Sequence, residues 1–254
     1  MISTMTAELS GIVGISFFIA GIIKGLIGIG LPTAALTLLT ISVTPLEAIG
    51  LNVMPMVVTN LYQLCKADSI RQLISSYWRF AGVMMVCMTG TALLAASLGN
   101  DIIRLMIAIS IFGFTLNQLF GHALYLPPHL DRPFQYVLGG LAGLIGGLTS
   151  AWGVPITIYL VMKNVSPKQF IDATGFLVTI GCVPIIFGYS VTSIFHLGII
   201  GYGILGSLTA IAGFAIGERL RPFVSAVFFR KLVLVLFLFM GLRLGYASLT
   251  SFMN

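Results

Sequence analysis

Apolar residues in this chain run in long, nearly continuous stretches rather than in alternation. Stretches at about 46–64, 77–98, 102–121, 168–190, 198–217 and 231–250 each predict one membrane-length helix, since the hydrocarbon core takes about 20 apolar residues in helical form. A membrane β-barrel would instead show alternating segments of about ten residues. Two further apolar regions fit no single helix. Residues 9–43 are too long for one span and short for two, and Gly25, Gly28, Gly30 and Pro32 interrupt them. Residues 134–163 repeat the problem, with interruptions at Gly146, Gly147, Gly153 and Pro155. Each region is either one kinked span or a hairpin of two shorter helices that leaves on the side it entered.

The interrupted regions are copies of one pattern. AGIIKGLIGIGLP (Ala20–Pro32) is followed by TPLEA, and AGLIGGLTSAWGVP (Ala142–Pro155) is followed by SPKQF. Gly21 pairs with Gly143, Gly25 with Gly147, Gly30 with Gly153, Pro32 with Pro155 and Pro45 with Pro167. A doubled, Gly/Pro-broken apolar segment at matching places in two halves points to a transporter binding site. Thr44-Pro-Leu-Glu47 and Ser166-Pro-Lys-Gln169 read as two capping boxes, each with Pro at the first helical position. Capping accounts for Glu47, which otherwise resembles a proton carrier.

Composition makes the membrane reading firm. Apolar residues are 58% and charged residues 8% of the 254, too few charges to cover a soluble surface. The formal charge of +6 does not mark a nucleic-acid partner, because the basic residues are dispersed among loops with no aromatic stripe. They serve as orientation signals. If each interrupted region crossed once, placing Lys66, Arg71 and Arg79 in the cytoplasm would put Lys163, Lys168, Arg219, Arg221, Arg230 and Lys231 outside. If each is a hairpin, all of these and Arg132 fall on one side, leaving only Arg104 and Arg243 opposite. The hairpin reading is adopted.

The expected fold is therefore an all-α integral membrane protein, a single transmembrane domain over 1–254. It comprises two inverted repeats of about five helical elements each, about 9–121 and 134–250. A Gly/Pro-broken helical hairpin opens each repeat. LPPHLDRP (Leu126–Pro133) is the expected connector, because its prolines cannot continue a helix. Both termini are expected outside, and MISTMTAELS lacks the basic start of a cleavable signal peptide.

Broken backbone in lipid must be buried in protein or line a wet cavity. The two breaks are expected to meet near the bilayer midplane, where helix N-termini would favour an anion. Gly28, Gly30, Thr149, Ser150, Trp152 and Gly153, beside Pro32 and Pro155, are the substrate-binding candidates. Trp152 is expected to cover the ligand. Gly21, Gly25, Gly139 and Gly143 fit small-xxx-small packing better. Lys24 lies deep in an apolar run with no acidic residue within a helical turn. It either snorkels to the interface or attracts the anion. Asn52 and its repeat mate Thr174 join the candidate site, whereas Asn60 and Gln63 read as helix contacts, as do Asn117 and Gln118. Tyr77 and Trp78 read as an interfacial belt. His122, His129 and His196 are read as solvated loop residues. Cys65, Cys87 and Cys182 lack metal spacing and read as small buried residues. No cofactor or metal is expected, and no phosphate-binding loop of the GxxxxGK[ST] type occurs.

KGLIGIGLP and GGLTSAWGVPITIYL, each followed by a Pro-started helix, resemble the sulfite exporter TauE/SafE family of membrane transporters over nearly the whole chain. The resemblance implies a secondary transporter or exporter of a small, sulfur-containing organic or inorganic anion, such as a sulfonate or sulfite, acting by alternating access in a bacterial inner membrane. Its partners would be that small anionic substrate and the lipid bilayer, with no nucleic acid; a homo-oligomer is allowed. An anion channel or a non-transporting membrane protein is the alternative. An enzyme would need clustered ionisable residues within the spans, and the sequence offers none.

Overall fold

The computed structural model describes residues 6–120 and 125–223, together with positions 235, 238, 239, 241–243, 245, 246 and 250. His122, Arg230, Lys231, most of the expected helix at 231–250 and the side chains of Asn117 and Gln118 lie outside the described residues. The described residues are helical, with no strand among them. The elements are α1 (Ala7–Ile27), α2 (Leu31–Leu39), α3 (Pro45–Cys65), α4 (Ile70–Ala95), α5 (Asn100–Phe120), α6 (Asp131–Thr149), α7 (Gly153–Met162), α8 (Pro167–Val191) and α9 (Leu197–Leu220). Of these, α1, α3, α4, α8 and α9 are long and apolar enough to cross a membrane.

Local chemistry sets the helix ends. Both capping boxes form: Thr44 Oγ1 accepts from Glu47 N while the Glu47 carboxylate accepts from Thr44 N, and Ser166 with Gln169 does the same. Ser69 caps α4 by accepting from Gln72 N, so α4 begins at Ile70 rather than 77 and carries Arg71 and Arg79 on the helix itself. His196 is not simply solvated: its Nδ1 accepts from Gly198 N and starts α9. α1 stops at Gly28 (φ 89°) and α2 starts after Gly30 (φ 101°), both in the left-handed region that glycine enters without penalty. α6 stops at Ser150 (φ 51°), a strained conformation for a residue with a Cβ. The connector holds a short 3₁₀ turn at Pro128–Leu130, and Pro133 sits in the first turn of α6, where its missing N–H removes no helical bond.

The interrupted segments are hairpins. Asp131, at the start of α6, accepts from Tyr159 Oη at 2.7 Å and from Lys163 Nζ at 3.0 Å at the end of α7. Lys66, just past α3, pairs with Glu218 near the end of α9 at 3.4 Å. Lys168, at the start of α8, donates to the Lys66 carbonyl at 3.0 Å. One end of the bundle thus gathers the ends of α3, α7 and α9 with the starts of α4, α6 and α8. The opposite end holds the start of α3, where Gly50 lies on the Ile194 carbonyl, and the start of α1, where Thr6 N donates to Tyr202 Oη at 2.8 Å. A single crossing by either segment is incompatible with these contacts.

Two parallel helix pairs form the frame. α1 runs alongside α9, from Thr6 with Tyr202 to the Arg221 guanidinium, which donates to the Gly25 carbonyl at 2.6 Å. α4 runs alongside α6 in the same manner. A methyl added at Gly21 or Gly25 would strike the carbonyl of Ala210 or Phe214, and one at Gly143 or Gly147 would strike that of Met84 or Met88. Such close backbone approach is how small residues drive helix association in lipid. The outer face exposes Ile15, Val86, Phe187 and Leu208, as a lipid-facing belt requires. Trp78 is exposed as a belt residue should be, but Tyr77 is buried and meets Tyr159 edge-on, with ring centroids 6.1 Å apart. Of the cysteines, Cys182 is buried, Cys87 half-buried and Cys65 exposed.

Candidate functional site

The two breaks meet inside the bundle. Gly28, Gly30 and Pro32 from the first, and Trp152 and Gly153 from the second, line one cavity together with Lys24 and Thr174. Its free space is about 30 Å³, room for a water or two. The N-termini of α2 and α7 both open on it, and neither has a side-chain cap. Their first-turn N–H groups therefore present partial positive charge to the cavity.

Lys24 does not snorkel. Its side chain is buried, with the residue 2% exposed, and Nζ donates to Asn60 Oδ1 at 2.8 Å and to Thr59 Oγ1 at 3.2 Å. The Phe214 ring lies 5.8 Å away. Among the described residues no carboxylate forms an ion pair with it. Asn60, read from the sequence as a helix contact, lines the cavity as well as bonding Lys24. Gln63 keeps the interhelical role: Nε2 donates to the Ile171 carbonyl at 2.6 Å and to Thr174 Oγ1 at 3.1 Å, joining α3 to α8 below the cavity.

The remaining candidates stand behind the lining. Asn52 donates to Ser150 Oγ, and its own Oδ1 is buried without a partner. Thr149 Oγ1 bonds back to Ile145 O and accepts from Ala151 N, bracing the turn. Pro155 is buried in the first turn of α7. Trp152, 1% exposed, packs its indole on Gly181 and its Cβ near Gly146, and its Nε1 has no hydrogen-bond partner. Sequence reasoning missed Thr33, Met56, Phe114, Ala151, Ile156 and Val178 as lining residues. Thr33 and Ala151 adjoin the breaks and were legible from that position; the others are ordinary helix residues with no distinguishing signal. Among the described residues no group of three or more His, Cys, Asp or Glu could hold a metal ion.

A wider space of about 300 Å³ opens at the Lys66 end, lined by Tyr62, Gln63, Lys66, Asp172, Glu218 and Arg221, and it shares Gly28 with the inner cavity.

Membrane-length helices, two interrupted hairpins and a buried cavity between their breaks define a polytopic membrane protein built around an internal site. Residues 13–244 match the family described as sulfite exporter TauE/SafE. The chain belongs to this family, whose members are membrane transporters. Neither the curated proteins nor the solved structures returned a match.

Proposed function

We propose that the protein carries a small sulfur-containing anion, a sulfonate or sulfite, across a bacterial inner membrane by alternating access. The observation that carries this reading is the convergence of two uncapped helix N-termini on one cavity that also holds Lys24. Backbone N–H groups and helix dipoles suit an oxyanion, and the uncapped ends spare it the desolvation of a second buried cation. Thr33, Asn60 and Trp152 add neutral polar groups. The site assignment keeps Gly28, Gly30, Pro32, Trp152, Gly153, Thr174 and Lys24 on the lining and gives Asn52, Thr149, Ser150 and Pro155 a bracing role.

Alternating access follows from reading the halves as inverted repeats. Its support is the matched packing, Gly21 on Ala210 and Gly25 on Phe214 against Gly143 on Met84 and Gly147 on Met88. The basic end, with Lys66, Arg71, Arg132, Lys163, Lys168 and Arg221, faces the cytoplasm in this reading. The test is a panel of methanesulfonate, sulfite, acetate and a neutral sugar, scored by thermal stabilisation of the purified protein and by flux in liposomes. Saturable flux of the sulfur anions alone supports the reading. Flux of the sugar, or no saturable flux, refutes it.

A further inference from the structure

We propose that Lys24 is the proton carrier of the transport cycle, taking up a proton together with the anion and releasing it when the anion leaves. The inference rests on the anion reading above and adds its coupling ion.

The hydrogen bonds around Nζ carry the argument. Thr59 Oγ1 donates its own proton to the Pro55 carbonyl at 2.8 Å, and Asn60 Nδ2 donates to the Met56 carbonyl at 2.7 Å. Both groups therefore turn an acceptor toward Lys24. A neutral amine has two N–H donors, and these two acceptors use both. An ammonium has three, and among the described residues the third has no acceptor. The protein's own groups thus satisfy the amine and offer the ammonium neither a third acceptor nor a counter-charge; water in the cavity can fill the first need but not the second, and an uncompensated charge is costly at membrane depth. An anion in the cavity supplies the missing acceptor and the missing charge together.

Among the described residues no neighbouring group takes over this role. From α3, Tyr62 and Lys66 lie toward the open end, with Lys66 paired to Glu218 of α9. From α8 come Cys182, which is buried, and Asp172, which is paired with Lys168 at 2.7 Å. Arg221, past α9, is held on the Gly25 carbonyl. α2 brings no ionisable group. α7 brings Tyr159, bonded to Asp131, which starts α6, and α5 brings Asp101 and Arg104, bonded to each other. The wider space at the Lys66 end and the inner cavity share Gly28 in their linings, and in the proposed cycle proton exchange with water runs past that residue.

The cycle balances. The neutral amine takes a proton from water on the open side as the anion binds. Anion and proton cross together, the ammonium returns its proton to water on the far side, and the amine resets uncharged. For a monovalent anion the net movement is one anion and one proton with no net charge. Flux then follows the sum of the two gradients in either direction.

The experiment uses the full chain in liposomes with the membrane potential clamped at zero, an internal pH dye, and methanesulfonate, whose sulfonate stays ionised throughout the range. A tenfold proton gradient, acid outside, should concentrate the anion inside about tenfold, with internal acidification at about one proton per anion. Lys24→Arg keeps the charge but cannot release a proton. It should still bind methanesulfonate and should lose gradient-driven accumulation, as should Lys24→Met. Wild-type methanesulfonate flux without acidification overturns the coupling and leaves the anion reading intact. Gradient-driven accumulation by Lys24→Arg equal to wild type also overturns it. Absence of saturable flux in the wild type removes both readings.

Discussion

Asn52 donates its side-chain amide to the Ser150 hydroxyl at 3.1 Å, so the helix that follows the first hairpin holds the residue that ends the helix before the second break. The strained Ser150 turn is thereby fixed by the other half of the chain. Asn52→Leu removes the donor and leaves a buried hydroxyl with one partner fewer, at a cost of about 1 kcal/mol. The expected outcome is a melting temperature lower by a few degrees in detergent, with a larger proportional loss of transport rate. An unchanged rate would show that the tie does not set the geometry of the site.

Gly30 and Gly153 are repeat mates in sequence but not in backbone. Gly30 sits at φ 101°, whereas Gly153 has no positive φ and an added methyl there would meet only the Ile29 side chain in ordinary contact. Gly30→Ala should cost about 1–2 kcal/mol from the left-handed conformation, while Gly153→Ala should be nearly neutral. Thermal melts of the two variants check this; equal shifts would contradict the assigned dihedral angles.

Gly143 lies on the α4 backbone, whereas nothing lies within 4 Å of a methyl group placed at Gly82 or Gly90. Gly143→Leu must push α6 away from α4, beyond the roughly 1–3 kcal/mol of ordinary overpacking. It should abolish the monodisperse peak on size-exclusion chromatography. Gly82→Leu and Gly90→Leu should leave that peak intact.

Asp131 clasps the second hairpin. Burial alone would raise the pKa of its carboxyl, but hydrogen bonds from Tyr159, Lys163 and Gln135 outweigh burial and hold it below the usual carboxylate range. A pKa depressed by folding adds stability that is present above the unfolded value of about 4 and is lost as pH falls through the lower folded value. Asp131→Asn should therefore melt earlier than wild type at pH 7, and the difference should shrink toward pH 3. A difference that persists in acid would assign the effect to shape rather than charge.

Arg221 and Ser193 stand at opposite ends of the bundle. In a background lacking Cys65, Cys87 and Cys182, a single cysteine at Ser193 should react with an impermeant reagent from outside, and one at Arg221 should not. The reverse pattern would invert the orientation proposed from loop charge.

The fold was legible where sequence and local chemistry agree. The capping boxes at Thr44 and Ser166, the breaks at Gly28–Gly30 and Ser150–Gly153, and the hairpins implied by loop charge all appear. Gly21, Gly25, Gly139 and Gly143 turn out to be close-packing positions, as their spacing suggested. Less legible was anything set by tertiary facing. Tyr77 reads as a belt residue until Tyr159 is seen against it. Asn60 keeps its interhelical role by accepting from Lys24 of α1, but nothing in its own helix shows that it also lines the cavity. Nothing in a lone apolar helix reveals that Met56 or Phe114 faces the cavity, because the site is assembled from elements distant in sequence.

The pairing of α1 with α9 sets the order in which the protein can be completed during synthesis. The glycine face of α1 has its partner in α9, so it must wait in the bilayer until α2 to α8 have been made and α9 has emerged. Over that interval its close-approach surface meets only lipid or a foreign helix. Chains halted after α5 would carry an unmatched glycine face on α1 and, on α4, the uncovered Phe80–Met88 backbone that the α6 glycines would otherwise meet, and such fragments are natural targets for membrane quality control.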